Sequence, residues 1–164
     1  YGPIVKLKRV GYLGELIYIY KLRTMYPYSE FIQGDIYENN RLDASGKMKD
    51  DYRITSWGKF FRKYFIDEFP QIFNWIRGDI NLIGIRALSE HYFSLYPKSL
   101  QLKRVKFKPG LIPPYYADLP KNFDEIIRSE IKYLNKKEEK PFTTDLKYFL
   151  KSIFNIFFIG ARSK

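Results

Sequence analysis

The sequence contains no cysteine and a single histidine, His91, among its 164 residues. Without cysteine there is no disulfide framework, no thiolate zinc site and no cysteine nucleophile. One histidine excludes a centre built from several, so a bound metal would need oxygen ligands, which Mg²⁺ and similar hard cations prefer. No apolar run approaches the roughly 20 residues of a membrane-spanning helix, and no signal peptide is visible. Because the chain begins with Tyr1 rather than Met, we expect it to be part of a longer protein.

Acidic residues are outnumbered, with 18 Asp and Glu against 29 Lys and Arg, which gives a net charge of +11. This balance favours an anionic partner, either a nucleic acid, a phosphorylated metabolite or an acidic membrane surface. Aromatic residues make up 19% of the chain, which suits a base-stacking surface or a membrane interface. Composition alone leaves these classes open, while the length predicts one domain.

Hydrophobic patterning predicts an α+β fold that is predominantly helical and begins with a short β-hairpin. Two alternating stretches, Ile4–Val10 and Leu16–Leu22, flank a glycine-bounded turn over residues 11–14. Residues 26–50 are polar and predict an irregular segment. Residues 109–120 contain four prolines and predict no regular helix.

Four further segments have helical character. The first predicted helix is capped by Ser56, and the second follows Asp67 and ends at Gly78. The third covers residues 88–105 with a break near Pro97, and the fourth covers residues 122–136. A last helix is predicted over residues 145–159, capped by Thr143 or Thr144. In the first two, the apolar residues fall at the spacing of a buried helix face: Trp57, Phe60, Phe61 and Tyr64, then Phe69, Ile72, Phe73 and Ile76.

Asp67 and Glu68 are adjacent carboxylates where one predicted helix ends and the next begins. In a purely structural interpretation, Asp67 caps the second helix and Glu68 faces the positive end of its dipole. Nearby cations favour a second interpretation, in which a helix start receives a phosphate or diphosphate. An ionised aspartate there can attack phosphorus while the glutamate holds Mg²⁺. These cations are Arg53, Lys59, Arg62, Lys63, Arg77 and Arg86.

Ordered motifs extend well beyond this pair. They are residues 2–3, 8–11, 19–25, 51–55, 58–63, 67–71, 74 and 77–84. In this order they resemble the bacterial sugar transferases, the monotopic polyprenol-phosphate phosphoglycosyl transferases. The resemblance covers roughly Gly2 to Gly110.

The resemblance implies that residues 1–164 form the catalytic domain of such an enzyme. It would lie on the cytoplasmic face of the bacterial inner membrane, attached by a re-entrant helix that precedes Tyr1. The family moves a phosphosugar from a UDP-sugar to polyprenyl (undecaprenyl) phosphate and releases UMP, which initiates polysaccharide or glycoconjugate assembly. On this resemblance Asp67 is the covalent nucleophile and Glu68 is the ligand of Mg²⁺.

The candidate phosphate-binding residues are Lys21, Arg23, Arg53, Arg62 and Arg86. Lys21 and Arg23 lie two positions apart on a predicted strand and so share a face, although solvated strand charges are the alternative. Arg86 is the stronger candidate for a diphosphate clamp, because a guanidinium binds phosphate oxygens bidentately. His91 is interpreted as a helix-face or core histidine rather than a catalytic base.

Three segments depart from the family's usual sequence. The opening strand is one residue shorter and lacks the usual Gln before Arg9. Residues 84–87 are Gly-Ile-Arg-Ala where Gly-Pro-Arg-Pro is usual, and residues 111–117 are Leu-Ile-Pro-Pro-Tyr-Tyr-Ala where Ile-Thr-Gly and then Gln are usual. The departures leave the carboxylate pair intact. They motivate one alternative, a catalytically silent scaffold of the same fold.

A basic nucleic-acid-binding module is the alternative from another class. It would need aromatic residues and cations on one exposed surface, and the helical spacing of the aromatics argues against it, so no nucleic acid is expected. The final helix, with Lys147 and Lys151 beside many apolar residues, is either packed in the core or lies in a membrane interface. The sequence does not decide which sugar is used or whether the protein is a homo-oligomer.

Overall fold

The N-terminal hairpin agrees with its predicted bounds. The computed structural model describes residues 2–32 and 51–161, so most of the segment predicted to be irregular lies outside the described residues. Strands β1 (Ile4–Val10) and β2 (Leu16–Leu22) pair antiparallel, from Ile4 opposite Leu22 to Val10 opposite Leu16. A short 3₁₀ turn, Tyr12–Gly14, connects them.

The rest of the described chain is mainly helical, which confirms the predicted α+β class. The α-helices are α1 (Ser56–Lys63), α2 (Gln71–Ile76), α3 (Glu90–Ser94), α4 (Lys98–Arg104), α5 (Tyr115–Asp118), α6 (Phe123–Glu139) and α7 (Pro141–Phe154). A π-helical turn, Asn155–Ile159, continues α7. Further 3₁₀ turns lie at Pro27–Glu30 and Ile66–Glu68.

Several predicted helix ends are wrong. Thr55 caps α1 instead of Ser56, and its side chain accepts a hydrogen bond from the Gly58 N–H. Helix α7 begins at Pro141, where proline is tolerated because the first turn lacks intrahelical partners for its N–H groups. Thr144 therefore lies inside the helix, and its hydroxyl donates to the Lys136 carbonyl. The proline-rich stretch also contains the one-turn helix α5, which the sequence did not predict.

A second pair of strands was not predicted either. Strands β3 (Asn81–Ile83) and β4 (Gly110–Ile112) pair in parallel. The two backbones pass so closely that a Cβ on Gly110 would collide with the backbone nitrogen of Gly84. Three residues are too few to establish a period of two, so only the glycines hinted at this close approach.

The core lies between β3, α4, α6 and α7. Its fully buried centre is Tyr133 and Leu134 on α6, with Ile83, Ile85, Leu88, Tyr96, Leu100, Ala117 and Tyr148 around them. Lys137 is also buried there and donates to the Asp145 carboxylate, with an Nζ–Oδ2 distance of 2.8 Å. This ion pair links α6 to α7 across their short connection.

The aromatic residues of α1 and α2 are not core residues, and that prediction is wrong. Trp57 and Phe73 are 75% and 64% exposed, and Phe69 between the two helices is 70% exposed. Helical spacing indicates that one face is apolar, but not what covers it. These residues, with Phe60, Tyr64 and Ile76, form an exposed apolar surface that we call the aromatic face.

Candidate active site

The carboxylate pair lies in the 3₁₀ turn Ile66–Glu68, between α1 and α2. Phe65 precedes it in the left-handed conformation, with φ of 60°, which redirects the chain after α1. Pro70, and not Asp67, precedes the first residue of α2, so the interpretation of Asp67 as a helix cap is wrong. Both carboxylates face inward, with 5% of Asp67 and 8% of Glu68 exposed. The pair therefore lies outside α1 and α2, in a short 3₁₀ turn that buries both carboxylates.

Two predicted cations contact this pair directly. The Lys21 Nζ lies 2.6 Å from Glu68 Oε1 and 3.8 Å from Asp67 Oδ2. The Arg86 Nη2 lies 3.2 Å from the same Glu68 oxygen. Glu68 is thus shared between a cation from the hairpin and a cation from the loop after β3. Asp67 Oδ1, in contrast, is buried and accepts no hydrogen bond from the described residues.

Burial and the neighbouring cations act in opposite directions on the pKa of Asp67. Burial raises the pKa of the Asp67 carboxyl above its ordinary value, and Lys21, Arg62 and Arg86 counteract this rise by charge attraction. Burial also lowers the pKa of Lys21, against the attraction of Glu68. A carboxylate that is weakly solvated and yet compensated by cations has the properties of a nucleophile.

Asn74 fixes the position of β2 and thereby of Lys21. It is completely buried on α2, and its Oδ1 accepts from the Tyr20 N–H at 3.0 Å. Its Nδ2 donates to the Tyr18 carbonyl at 2.7 Å and to Asp79 Oδ2 at 3.0 Å. The Asn74 amide therefore makes the hydrogen bonds that a neighbouring strand would otherwise make to this edge of β2.

Thr24, just beyond β2, joins the hairpin to α1. Its carbonyl accepts from the Thr55 N–H at 3.0 Å, and its hydroxyl accepts from Arg62 Nε at 3.0 Å. A Cβ on Gly58 would collide with the Thr24 carbonyl, so only glycine fits there. This packing holds Arg62 near enough to Asp67 for its charge to lower the pKa of that carboxyl, and its role in phosphate binding stays a prediction.

Arg23 and Arg53 lie in the same region but have other described partners. Arg23 follows the end of β2, and its Nε donates to the Gly2 carbonyl at 3.1 Å. Arg53 is buried and forms a two-point ion pair with Asp51, at 2.7 Å and 2.6 Å. Their predicted roles in phosphate binding stay predictions.

Arg86 is held at its backbone as well as at its side chain. Arg104 Nη2 donates to the Arg86 carbonyl at 2.6 Å, and Arg104 is itself paired with the buried Glu130. Arg86 Nη1 donates to the Tyr115 hydroxyl. No role for Arg104, Glu130 or Tyr115 was predicted from the sequence. Only Tyr115 carried a signal, since it belongs to a segment that departs from the family.

A hard cation is compatible with the residues at this site. Among residues 2–32 and 51–161, no three Asp, Glu or His side chains come together as a metal centre. Mg²⁺ often binds through one or two carboxylates together with substrate phosphates. Glu68, and Asp67 with its unpartnered Oδ1, offer that donor set. His91 is exposed on α3, in agreement with its assignment to a helix face.

A second apolar surface lies on α7. Along this helix and the turn that follows, one stripe is exposed: Phe142, Leu146, Leu150, Phe154, Phe157 and Phe158. The rings of Phe154 and Phe158 stack 4.9 Å apart. Core packing therefore does not account for this face, which leaves the interfacial interpretation. Within the described residues no helix combines the length and apolar character needed to cross a bilayer.

An α+β domain that pairs a buried aspartate–glutamate dyad with lysine and arginine is suited to phosphoryl chemistry on an anionic substrate. The chain belongs to the bacterial sugar transferase family, whose model matches residues 1–159.

Curated relatives agree with this family. Galactosyl transferase CpsE of Streptococcus agalactiae is 34% identical over 168 residues, covering 99% of this chain and 36% of that protein. Undecaprenyl-phosphate galactose phosphotransferase of Salmonella typhimurium is 37% identical over 116 residues, covering 67% of this chain and 24% of that protein. UDP-glucose:undecaprenyl-phosphate glucose-1-phosphate transferase of Xanthomonas campestris is 29% identical over 113 residues, covering 67% and 22%. The chain thus spans about a third or less of these relatives' lengths.

Proposed function

We propose that this chain is the catalytic part of a phosphoglycosyl transferase that moves a sugar phosphate from a UDP-sugar to polyprenyl phosphate. The names of the relatives support galactose or glucose as the sugar and undecaprenyl phosphate as the acceptor. The observation that carries the proposal is the buried Asp67–Glu68 pair, with Lys21 and Arg86 on Glu68 and one Asp67 oxygen without a partner.

In the first step, an Asp67 carboxylate oxygen attacks the phosphorus that carries the sugar. The bond from this phosphorus to the bridging oxygen breaks, and UMP leaves with the electron pair. The product is an aspartyl phosphosugar. Lys21 and Arg86 lie where charge on the phosphate oxygens would need compensation, and such fixed cations act most strongly where water is excluded.

In the second step, a phosphate oxygen of polyprenyl phosphate attacks the same phosphorus. The bond to Asp67 breaks, and the carboxylate is regenerated. Two displacements at one centre allow the same buried site to serve a soluble donor and a lipid acceptor in turn.

Glu68 would hold Mg²⁺ at this site, with a contribution from Asp67. The bound cation would neutralise charge on the diphosphate of the donor. Lys21 and Arg86 already neutralise part of the Glu68 charge, so we expect the substrate's own phosphates to supply much of the metal's coordination.

Membrane attachment fits the two exposed apolar surfaces. Clusters of exposed apolar side chains are typical of docking or membrane-binding sites, and the aromatic face adjoins the turn that carries Asp67. A lipid acceptor keeps its tail in the bilayer, so the reacting phosphate stays near the headgroups. We place the enzyme on the cytoplasmic face of the bacterial inner membrane, where a net charge of +11 favours anionic lipid.

The exposed aromatics also remove the earlier argument against nucleic acid, because aromatics and cations such as Lys59 and Lys63 do share a surface. We favour the membrane because the relatives' names specify lipid-linked acceptors. RNA that competes with vesicles for the protein at physiological salt would favour the alternative.

The test uses the protein as its gene encodes it, in detergent, with polyprenyl phosphate and a panel that includes UDP-galactose and UDP-glucose. We expect UMP release with at least one UDP-sugar, dependent on Mg²⁺ and absent in Asp67→Asn. A wild-type protein that releases no UMP with any donor would instead indicate the silent scaffold.

A further inference from the structure

Two of the three segments that depart from the family's usual sequence meet at one hydrogen bond. Arg86, in residues 84–87, donates through Nη1 to the hydroxyl of Tyr115, in residues 111–117. Arg86 follows β3, and Tyr115 is the first residue of α5. Twenty-nine positions separate them in sequence, so the fold and not local sequence creates this contact.

This contact completes a three-point attachment of Arg86. Arg104 holds the backbone carbonyl, Glu68 accepts from Nη2, and Tyr115 accepts from Nη1. An arginine side chain has large rotamer freedom that must be lost before it can act as a fixed clamp. Partners on both terminal nitrogens restrict the plane of the guanidinium as well as its position.

The residues on both sides of Arg86 differ from those usual in the family. The prolines that usually flank this arginine would restrict the backbone on both sides. Ile85 and Ala87 stand in their places and impose no comparable restriction. A phenol that holds the guanidinium from a separate segment can supply the missing rigidity.

We propose that Tyr115 is a positioning residue that orients Arg86, beside Glu68, toward the diphosphate of the nucleotide-sugar. The proposal rests on the proposed function of the Asp67–Glu68 site. Tyr115 accepts from Arg86 through its phenol oxygen. Its effect on the reaction passes through Arg86.

Tyr116 offers a matched control at the next position. It is 3% exposed, and its hydroxyl lies close to that of Tyr115 but makes no hydrogen bond to Arg86 among the described residues. Its ring packs edge-on against Phe65, with the centroids 5.3 Å apart. Tyr116→Phe removes the neighbouring phenol oxygen, preserves this packing and leaves the hydrogen bond between Arg86 and Tyr115 in place, so it separates the loss of that bond from the loss of a phenol oxygen nearby.

The experiment compares Tyr115→Phe, Tyr116→Phe, Arg86→Ala and the double variant Arg86→Ala/Tyr115→Phe, each in the protein as its gene encodes it. Steady-state UMP release is measured with the UDP-sugar that the wild type uses. We expect Tyr115→Phe to lower kcat/KM about 10-fold, the order for a hydrogen bond to a charged group, mainly through a higher KM for the UDP-sugar. Tyr116→Phe should match the wild type. In the Arg86→Ala background, Tyr115→Phe should have no further effect, because the group that it positions is gone.

Three outcomes would overturn the proposal. They are wild-type kinetics in Tyr115→Phe, an equal loss in both phenylalanine variants, or a loss that persists undiminished without Arg86. The last two would assign Tyr115 a packing role only. Failure of the proposed function gives a different result, since the wild type itself would then release no UMP.

Discussion

Replacing Asn74 with alanine is expected to lower both the stability of the protein and its catalytic activity, because both depend on the hydrogen bonds that Asn74 makes to β2. Asn74 is fully buried on α2 and makes three side-chain hydrogen bonds. Two of them satisfy the Tyr20 N–H and the Tyr18 carbonyl of β2. Alanine keeps the helix but leaves both backbone groups, and one Asp79 oxygen, without this partner.

The size of the effect follows from this inventory. A buried donor or acceptor that loses its partner costs about 1–3 kcal/mol, and the groups near Tyr18 are reached more easily by water, since Tyr18 is 55% exposed. We therefore expect the free energy of unfolding to fall by about 3 kcal/mol, which corresponds to a decrease in Tm of roughly 6–12 °C for a domain of this size. Lys21 follows Tyr20 directly on β2, so looser β2 packing should also lower kcat/KM.

Urea denaturation followed by circular dichroism measures the stability, and UMP release measures the activity. Asn135→Ala is the control, because Asn135 is exposed on α6 and loses only a surface hydrogen bond from Lys103, so its replacement should lower the stability by no more than about 1 kcal/mol. Asn74→Asp keeps an acceptor for the Tyr20 N–H but places a second carboxylate against Asp79, so we expect it to be no more stable than Asn74→Ala. A stability of Asn74→Ala within about 0.5 kcal/mol of the wild type would refute the reasoning.

Three further expectations concern the chemistry and the membrane. With the UDP-sugar alone, mass spectrometry should locate a phosphosugar adduct on Asp67, and an adduct elsewhere or turnover by Asp67→Asn would show that the nucleophile is misassigned. EDTA should stop UMP release and Mg²⁺ should restore it, whereas full activity of Glu68→Gln at low Mg²⁺ would remove Glu68 from the metal site. In flotation assays, Trp57→Ser and Phe73→Ser should each weaken binding to anionic vesicles about 10-fold, as expected for losing one buried aromatic ring. Unchanged flotation of both variants would separate the aromatic face from the membrane.

Local pattern predicted the elements that are long and regular. The hairpin strands alternate over seven residues each, and their bounds were predicted correctly. Strands β3 and β4 have three residues each, too few for any period, and their pairing depends on a close approach between distant glycines. Helix ends were less predictable, because Thr55, Ser56 and Thr144 are all chemically able to cap and only the surrounding chain decides among them.

In the candidate site, too, short sequence motifs could be predicted and tertiary contacts could not. Asp67 and Glu68 could be found because they are adjacent and lie in an ordered motif. Lys21 and Arg86 were predicted as phosphate-binding residues, but their contacts to one shared Glu68 oxygen were not predicted, because they depend on tertiary packing. Tyr115 had no helical or strand pattern to mark it. It was visible only as a departure from the family, and its role emerged when the fold placed it on Arg86.

The aromatic face shows why burial is harder to predict than periodicity. The spacing of Trp57, Phe60 and Tyr64 specifies an apolar side of α1, and in a water-soluble enzyme that side would be expected to meet the core. A protein that takes a lipid-linked substrate has a third environment available, in which the same side is covered by the bilayer. Sequence alone does not distinguish a protein core from a lipid interior, since both accept the same residues. Asp67 lies in the turn shortly after α1, so the proposed membrane attachment through the aromatic face would bring the proposed nucleophile close to the headgroup of polyprenyl phosphate.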